Sequence, residues 1–193
     1  MKKQKKENKM GNKYELYRKE GSLWRIRALK SDGIFREGEL GGLIASERNL
    51  DQSGSCWVYV AAKVSGNAQV TGNAEVYGGA QVYGDAQVTG NAKVYGNAQV
   101  YGNARVSGNA EVYGNAKVSG LAEVYGNAKV TDSHIGGTAK VGGTAKFVGA
   151  DGIVSGVYEK GRDMTRNSSR GEPEAVSRNA VVNAALKARK HRA

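Results

Sequence analysis

From Ala62 to Val130 the chain repeats a six-residue unit: alanine, a polar residue, valine, then serine, threonine or tyrosine, then glycine, then usually asparagine. Valine recurs at 64, 70, 76, 82, 88, 94, 100, 106, 112, 118, 124 and 130. A short fixed period excludes an ordinary globular core, because one unit cannot bury its apolar face alone and must stack on its neighbours. Within a unit Ala and Val lie two apart and share one side of an extended strand. The residues flanking Val face the other way, and these are polar or Tyr. The Gly-Asn pair supplies a corner, since both residue types are expected to accept positive φ there. Gly79, Asp85 and Leu121 replace the asparagine. The first two are still turn formers, and Leu121 is an exposed leucine at a corner.

The charges fix the number of units per coil, because residues one coil apart become close neighbours. Two units per coil would stack Lys93, Arg105, Lys117 and Lys129 in one positive column and set Glu111 on Glu123. Three units sort the same residues into Glu75, Lys93, Glu111, Lys129; Gln69, Gln87, Arg105, Glu123; and Lys63, Gln81, Gln99, Lys117. No like charges touch in these columns, so eighteen residues per coil and a triangular prism are predicted. The same sorting stacks Tyr77, Tyr95 and Tyr113 in one column and Tyr83 and Tyr101 in another. Tyrosine is enriched in interface cores, which makes these five residues the candidate partner-binding surface. The period breaks once: Ile135 comes one residue early, so one residue is deleted near 131–133. Lys129 and Lys146 then become column neighbours.

The net charge of +11 sits in the tails. Residues 1–20 hold eight Lys/Arg against three Glu, and residues 159–193 hold nine against four acids. Basic tails are a candidate contact for nucleic acid or an acidic protein. The one cysteine, Cys56, takes an inward Ala-like position and reads as a small core residue. The segment 1–13 is polar and lysine-rich, unlike a signal peptide, and nothing approaches a transmembrane span. A reducing cytoplasm is the expected compartment.

Four segments follow. Residues 1–12 read as a disordered basic tail and 13–55 as an N-terminal β-hairpin cap. Residues 56–153 form the repeat β-helix. Residues 154–193 form a linker and a basic C-terminal helix that starts near Pro173. Trp24 and Trp57 are expected to pack the cap on the rod.

The motif Val-x-Gly-Asn-Ala-x resembles the hexapeptide repeat of left-handed parallel β-helices. The entry stretch Gly38-Glu39-Leu40-Gly41-Gly42-Leu43-Ile44, continuing to Leu50 and then Gly54-Ser55-Cys56-Trp57-Val58-Tyr59, resembles a narrower group. These are YdcK-like hexapeptide proteins of bacteria and their phages, often given a provisional transferase label. The resemblance implies an all-β, left-handed, three-sided solenoid, and often a trimer. The transferase label rests on fold-sharing, and fold does not fix function.

Hexapeptide acyltransferases generally use a histidine base in a cleft between subunits. His191 lies in the basic tail, so His134, beside Asp132 and Ser133 at the break, is the weak catalytic candidate, with acyl-CoA as the cofactor in that case. No long loop interrupts the coils to wall a cleft. No His/Cys/carboxylate set has metal-ligand spacing, and no glycine is followed by the Lys-Ser/Thr of a phosphate loop. The favoured expectation is a non-enzymatic scaffold binding a protein partner, in a phage or mobile-element setting. An acyltransferase-like oligomer and nucleic-acid binding through the tails are the alternatives.

Overall fold

The computed structural model describes residues 11–150, 152–153, 155–159 and 163–165. The expected basic helix after Pro173, and all of the N-terminal tail except Gly11 and Asn12, lie outside the described residues.

The hexads wind into a three-sided parallel β-solenoid. Each unit contributes one short strand, and strands one coil apart pair in parallel, Lys93 with Glu75 on one side and with Glu111 on the other. That register is the eighteen-residue coil the charges require. Face I carries Lys63–Val64, Gln81–Val82, Gln99–Val100, Lys117–Val118 and His134–Ile135. Face II carries Gln69–Val70, Gln87–Val88, Arg105–Val106, Glu123–Val124, Lys140–Val141 and Val157–Tyr158. Face III carries Trp57–Val58, Glu75–Val76, Lys93–Val94, Glu111–Tyr113, Lys129–Thr131, Lys146–Val148 and Asp163–Thr165. The pairing therefore continues past Ile153, where the sequence pattern fades.

Every repeat valine and alanine from Ala62 to Val130 is fully buried. Val64, Val82, Val100, Val118 and Ile135 form one inward ladder, and the other faces have equivalent ones. Each buried valine contributes on the order of 1.5–3 kcal/mol, so hydrophobic burial holds the rod together. Each coil donates its backbone N–H groups to the coil that follows, as in Lys93 to Ala110, Tyr95 to Val112 and Asn97 to Gly114, at 2.8–2.9 Å.

The corners divide labour differently from expectation. Glycine alone takes the left-handed conformation in the regular corners. Among the described residues, Asp132 (φ 48°) is the single non-glycine with positive φ, so the asparagines do not adopt it. Asparagine instead builds amide ladders along the edges. Asn73, Asn91 and Asn109 each donate Nδ2 to the Oδ1 of the asparagine one coil on, at 2.9–3.0 Å, ending at Asn127. Such ladders satisfy the amides only when identical residues stack in register.

The break is now explained. Asp132 occupies the corner-glycine position and Ser133 the inward-alanine position, since Lys117 N bonds Ser133 O where other coils use Ala. The corner asparagine is the missing residue. The Asp132 carboxylate takes the place of the corner-glycine carbonyl that accepts in the regular coils, bonding Asn115 N at 2.8 Å and Asn115 Nδ2 at 3.1 Å. These bonds, the backbone one first, hold its carboxyl below the usual range. Ser133 is buried but satisfied, donating to Thr131 O at 2.8 Å and accepting from Ala150 N at 2.9 Å. Beyond the break Lys129 sits opposite Lys146, as expected, while Glu123 gains Lys140 at 3.1 Å.

At the N-terminal end β1 (Tyr14–Glu20) and β2 (Leu23–Ala28) form an antiparallel hairpin. β3 (Leu40–Ile44) pairs antiparallel to β2 and parallel to Lys63–Val64. The cap thus continues face I edge to edge and removes one exposed strand edge. Trp57 is buried, stacked on Phe35 at 4.3 Å and edge-on to Tyr14 at 6.4 Å. Trp24 instead stays half-buried on the hairpin, opposite Ile44, with Lys19 Nζ 5.9 Å from its ring.

Candidate interaction face

The residue after each valine faces outward at a strand end, so an eighteen-residue spacing sets like residues one above another. Tyr77, Tyr95 and Tyr113 form a continuous stack with ring centroids 4.7 and 4.9 Å apart and planes within 4°. Tyr83 and Tyr101 stack at 5.0 Å and 2°. All five are half-buried. Rings this nearly parallel fit strands with little relative rotation, less than the usual twist of about 20–25° per strand, and so a flat face.

Tyr59, eighteen residues before Tyr77, extends the first column, and the irregular Ala61-Ala62 entry hides it from the repeat pattern. Its ring meets Tyr77 edge-on at 5.9 Å. Tyr59 donates to Glu75 Oε2 at 3.0 Å, and Tyr95 donates to Glu111 Oε2 at 3.1 Å. Burial first, and these carboxylates second, push both phenols above their ordinary pKa. Glu111 is held below the usual carboxylate range, chiefly by Lys129 at 2.8 Å. Lys93 pairs with Glu75 at 3.0 Å. Face III is thus an interlaced tyrosine column and an alternating charge column, Glu75, Lys93, Glu111, Lys129, with both lysines substantially exposed.

His134 projects from face I, exposed, next to Lys117. Its Nε2 lies 3.2 Å from Ser119 Oγ. A hydroxyl beside an imidazole is the beginning of nucleophilic chemistry, but an orienting group and a walled substrate site must accompany it. Neighbouring Asp132 is directed to Asn115 and Thr131 instead. The repeat pattern hides this contact, because the break shortens the diagonal offset from the sixteen of Tyr59–Glu75 and Tyr95–Glu111 to the fifteen of Ser119–His134. A shallow depression lies elsewhere, on the cap, lined by Asp32, Ile34, Phe35, Arg36, Glu37 and Glu39. Among the described residues no three His, Cys, Asp or Glu side chains are grouped to hold a metal ion. No helix among them is long and apolar enough to cross a membrane.

Residues 80–96 and 98–112 match the family described as YdcK Beta solenoid repeat, the group that the hexads and the entry stretch resemble. The matched residues lie in the central coils and include Tyr83, Tyr95 and Tyr101, while Tyr77 and Tyr113 stand just outside them. No curated protein matches the chain.

Proposed function

We propose that this YdcK-type β-solenoid is a rigid, non-enzymatic scaffold that presents its tyrosine-bearing faces to a protein partner. The observation that carries this reading is the half-buried column Tyr59, Tyr77, Tyr95 and Tyr113 on a flat wall. Stacked rings are already ordered, so a partner that covers them loses little side-chain entropy on binding. Aromatic side chains with a polar tip are favoured in interface centres. The resemblance to proteins of phages supports a host protein as one such partner.

The triple variant Tyr77→Ser, Tyr95→Ser, Tyr113→Ser is expected to weaken partner capture by about tenfold or more while the chain stays folded, read by quantitative pull-down beside circular dichroism. Equal loss of fold and of capture would remove the reading.

The contact between Ser119 and His134 supports a second reading, an acyltransferase-like activity in which His134 draws the proton from a nucleophile. It predicts heat on titration with acyl-CoA and loss of that heat in His134→Ala. A flat titration of the unaltered chain ends this alternative.

A further inference from the structure

We infer that face III is the contact surface of an antiparallel dimer, with a second copy of this chain as the occupant. This rests on the reading of the tyrosine face as a protein-binding surface and names its partner. The charge column reads Glu75, Lys93, Glu111, Lys129 along successive rungs. A twofold axis lying in the interface, parallel to the strands and midway between the rungs of Lys93 and Glu111, sets Glu75 against Lys129 of the other copy and Lys93 against its Glu111. All four positions then meet the opposite sign. The same axis pairs Tyr95 with Tyr113 and Tyr77 with Thr131, at the middle of the six rungs from Trp57 to Lys146.

Other arrangements do worse. A parallel copy in register sets like on like at every rung. A parallel copy slipped by one rung restores the signs but is heterologous, and adds copies without closing. The isologous antiparallel pair closes with both partners satisfied. Flatness permits it, since the rings one coil apart lie within 4° of parallel. Six rungs about 4.8 Å apart and a side of about 16 Å give roughly 900 Å² over both copies, the low end for a specific contact. The dimer is therefore weak and concentration-dependent.

The charges allow a test in which stability and association separate. Glu111→Lys leaves two like-charged neighbours within the column, Lys93 and Lys129 against the new lysine, and also turns the central inter-copy contacts repulsive. The double variant Lys93→Glu, Glu111→Lys likewise leaves two like-charged neighbours within the column, yet restores every inter-copy pair. Sedimentation equilibrium of the full chain is expected to show a dimer for the unaltered protein. Dimer affinity should fall at least tenfold in Glu111→Lys and return to within about threefold in the double variant, although the two variants melt alike. Zero-length carbodiimide coupling should join Glu75 to Lys129, which are three rungs apart in one chain and adjacent only across the antiparallel pair. A monomer at all concentrations, a trimer, or a double variant as weak as the single one would overturn the proposal. A monomer that still loses partner capture with the serine triple variant would overturn the dimer and leave the protein-binding reading intact.

Discussion

Gly96→Ala is expected to destabilise the rod by about 3 kcal/mol, while Gly79→Ala, one coil away on the same edge, stays within about 1 kcal/mol of the parent. Both are corner glycines, Gly96 at the glycine position of the hexad and Gly79 at the asparagine position, and they differ in conformation and in neighbours. Gly96 has φ 70°, and a Cβ there would lie 2.9 Å from Gly114 N and 3.0 Å from Gly114 O. The left-handed conformation costs an alanine roughly 1–2 kcal/mol. The crowding falls on the backbone of the next coil, which is pinned by its own ladder of hydrogen bonds and has nowhere to move. Forcing a backbone shift in a packed stack adds about 1–3 kcal/mol. Gly79 stands at the asparagine position and lacks the positive φ. Its nearest obstacle is Asn97 Oδ1 at 2.9 Å, the tip of a side chain that can swing aside. Urea denaturation followed by circular dichroism compares the two. Similar losses at both positions would contradict the assignment of the cost to the positive φ and backbone crowding at Gly96.

Lys13→Met should cost a similar amount, about 3 kcal/mol, and should do so at one end of the molecule. Lys13 is fully buried, and its ammonium donates to Cys56 O at 2.8 Å, Gly54 O at 3.3 Å and Ser53 O at 3.4 Å, with Cys56 Sγ at 3.2 Å. It ties the start of the cap to the turn that enters the first coil. Methionine fills much of the volume but leaves three carbonyls without their donor. A buried charge-assisted bond and the stranded acceptors outweigh the relief of a desolvated ammonium, because the pocket is built for the ion. Stacked coils interact only with their neighbours, so the damage is local. Hydrogen exchange should quicken through β1 and the rung of Trp57 and stay unchanged at Lys140–Val141. Lys117→Met, at an exposed position, should have no comparable effect. Uniform exchange along the rod in Lys13→Met would contradict the assignment.

Much of the architecture is legible because the repeat leaves one solution. Eighteen residues per coil follow from the signs of Glu75, Lys93, Glu111 and Lys129, and the tyrosine stacks follow from the coil. The unread parts depend on contacts that no local pattern encodes. Asparagine passes as a turn residue by composition. Its ladder is visible only when Asn73, Asn91, Asn109 and Asn127 are known to stand at 2.9–3.0 Å from one another. Lys13 ends a run of lysines and looks like the last solvated one, since a carbonyl-lined pocket for it forms only after Ser53, Gly54 and Cys56 turn the chain. Asp132 reads as part of a defect. In three dimensions its carboxylate does the work of the corner-glycine carbonyl of the regular coils. At the candidate site the stacked columns could be named in advance, but the interlacing of Tyr59 and Tyr95 with glutamates of the next coil could not.

Because three hexads close one circuit, length changes in this molecule come in two kinds. Removing eighteen residues shortens the prism by one storey and leaves the hairpin and the far end in the same angular phase. Removing six swings everything beyond the cut by a third of a revolution, so a wall that began over the hairpin finishes over a different flank. The seventeen-residue circuit at Asp132 is a third case, in which a residue is lost and the phase is kept. Lineages that lengthen or trim such a prism in whole storeys conserve the relative bearing of its two ends, and those that trim by single hexads re-aim one end against the other.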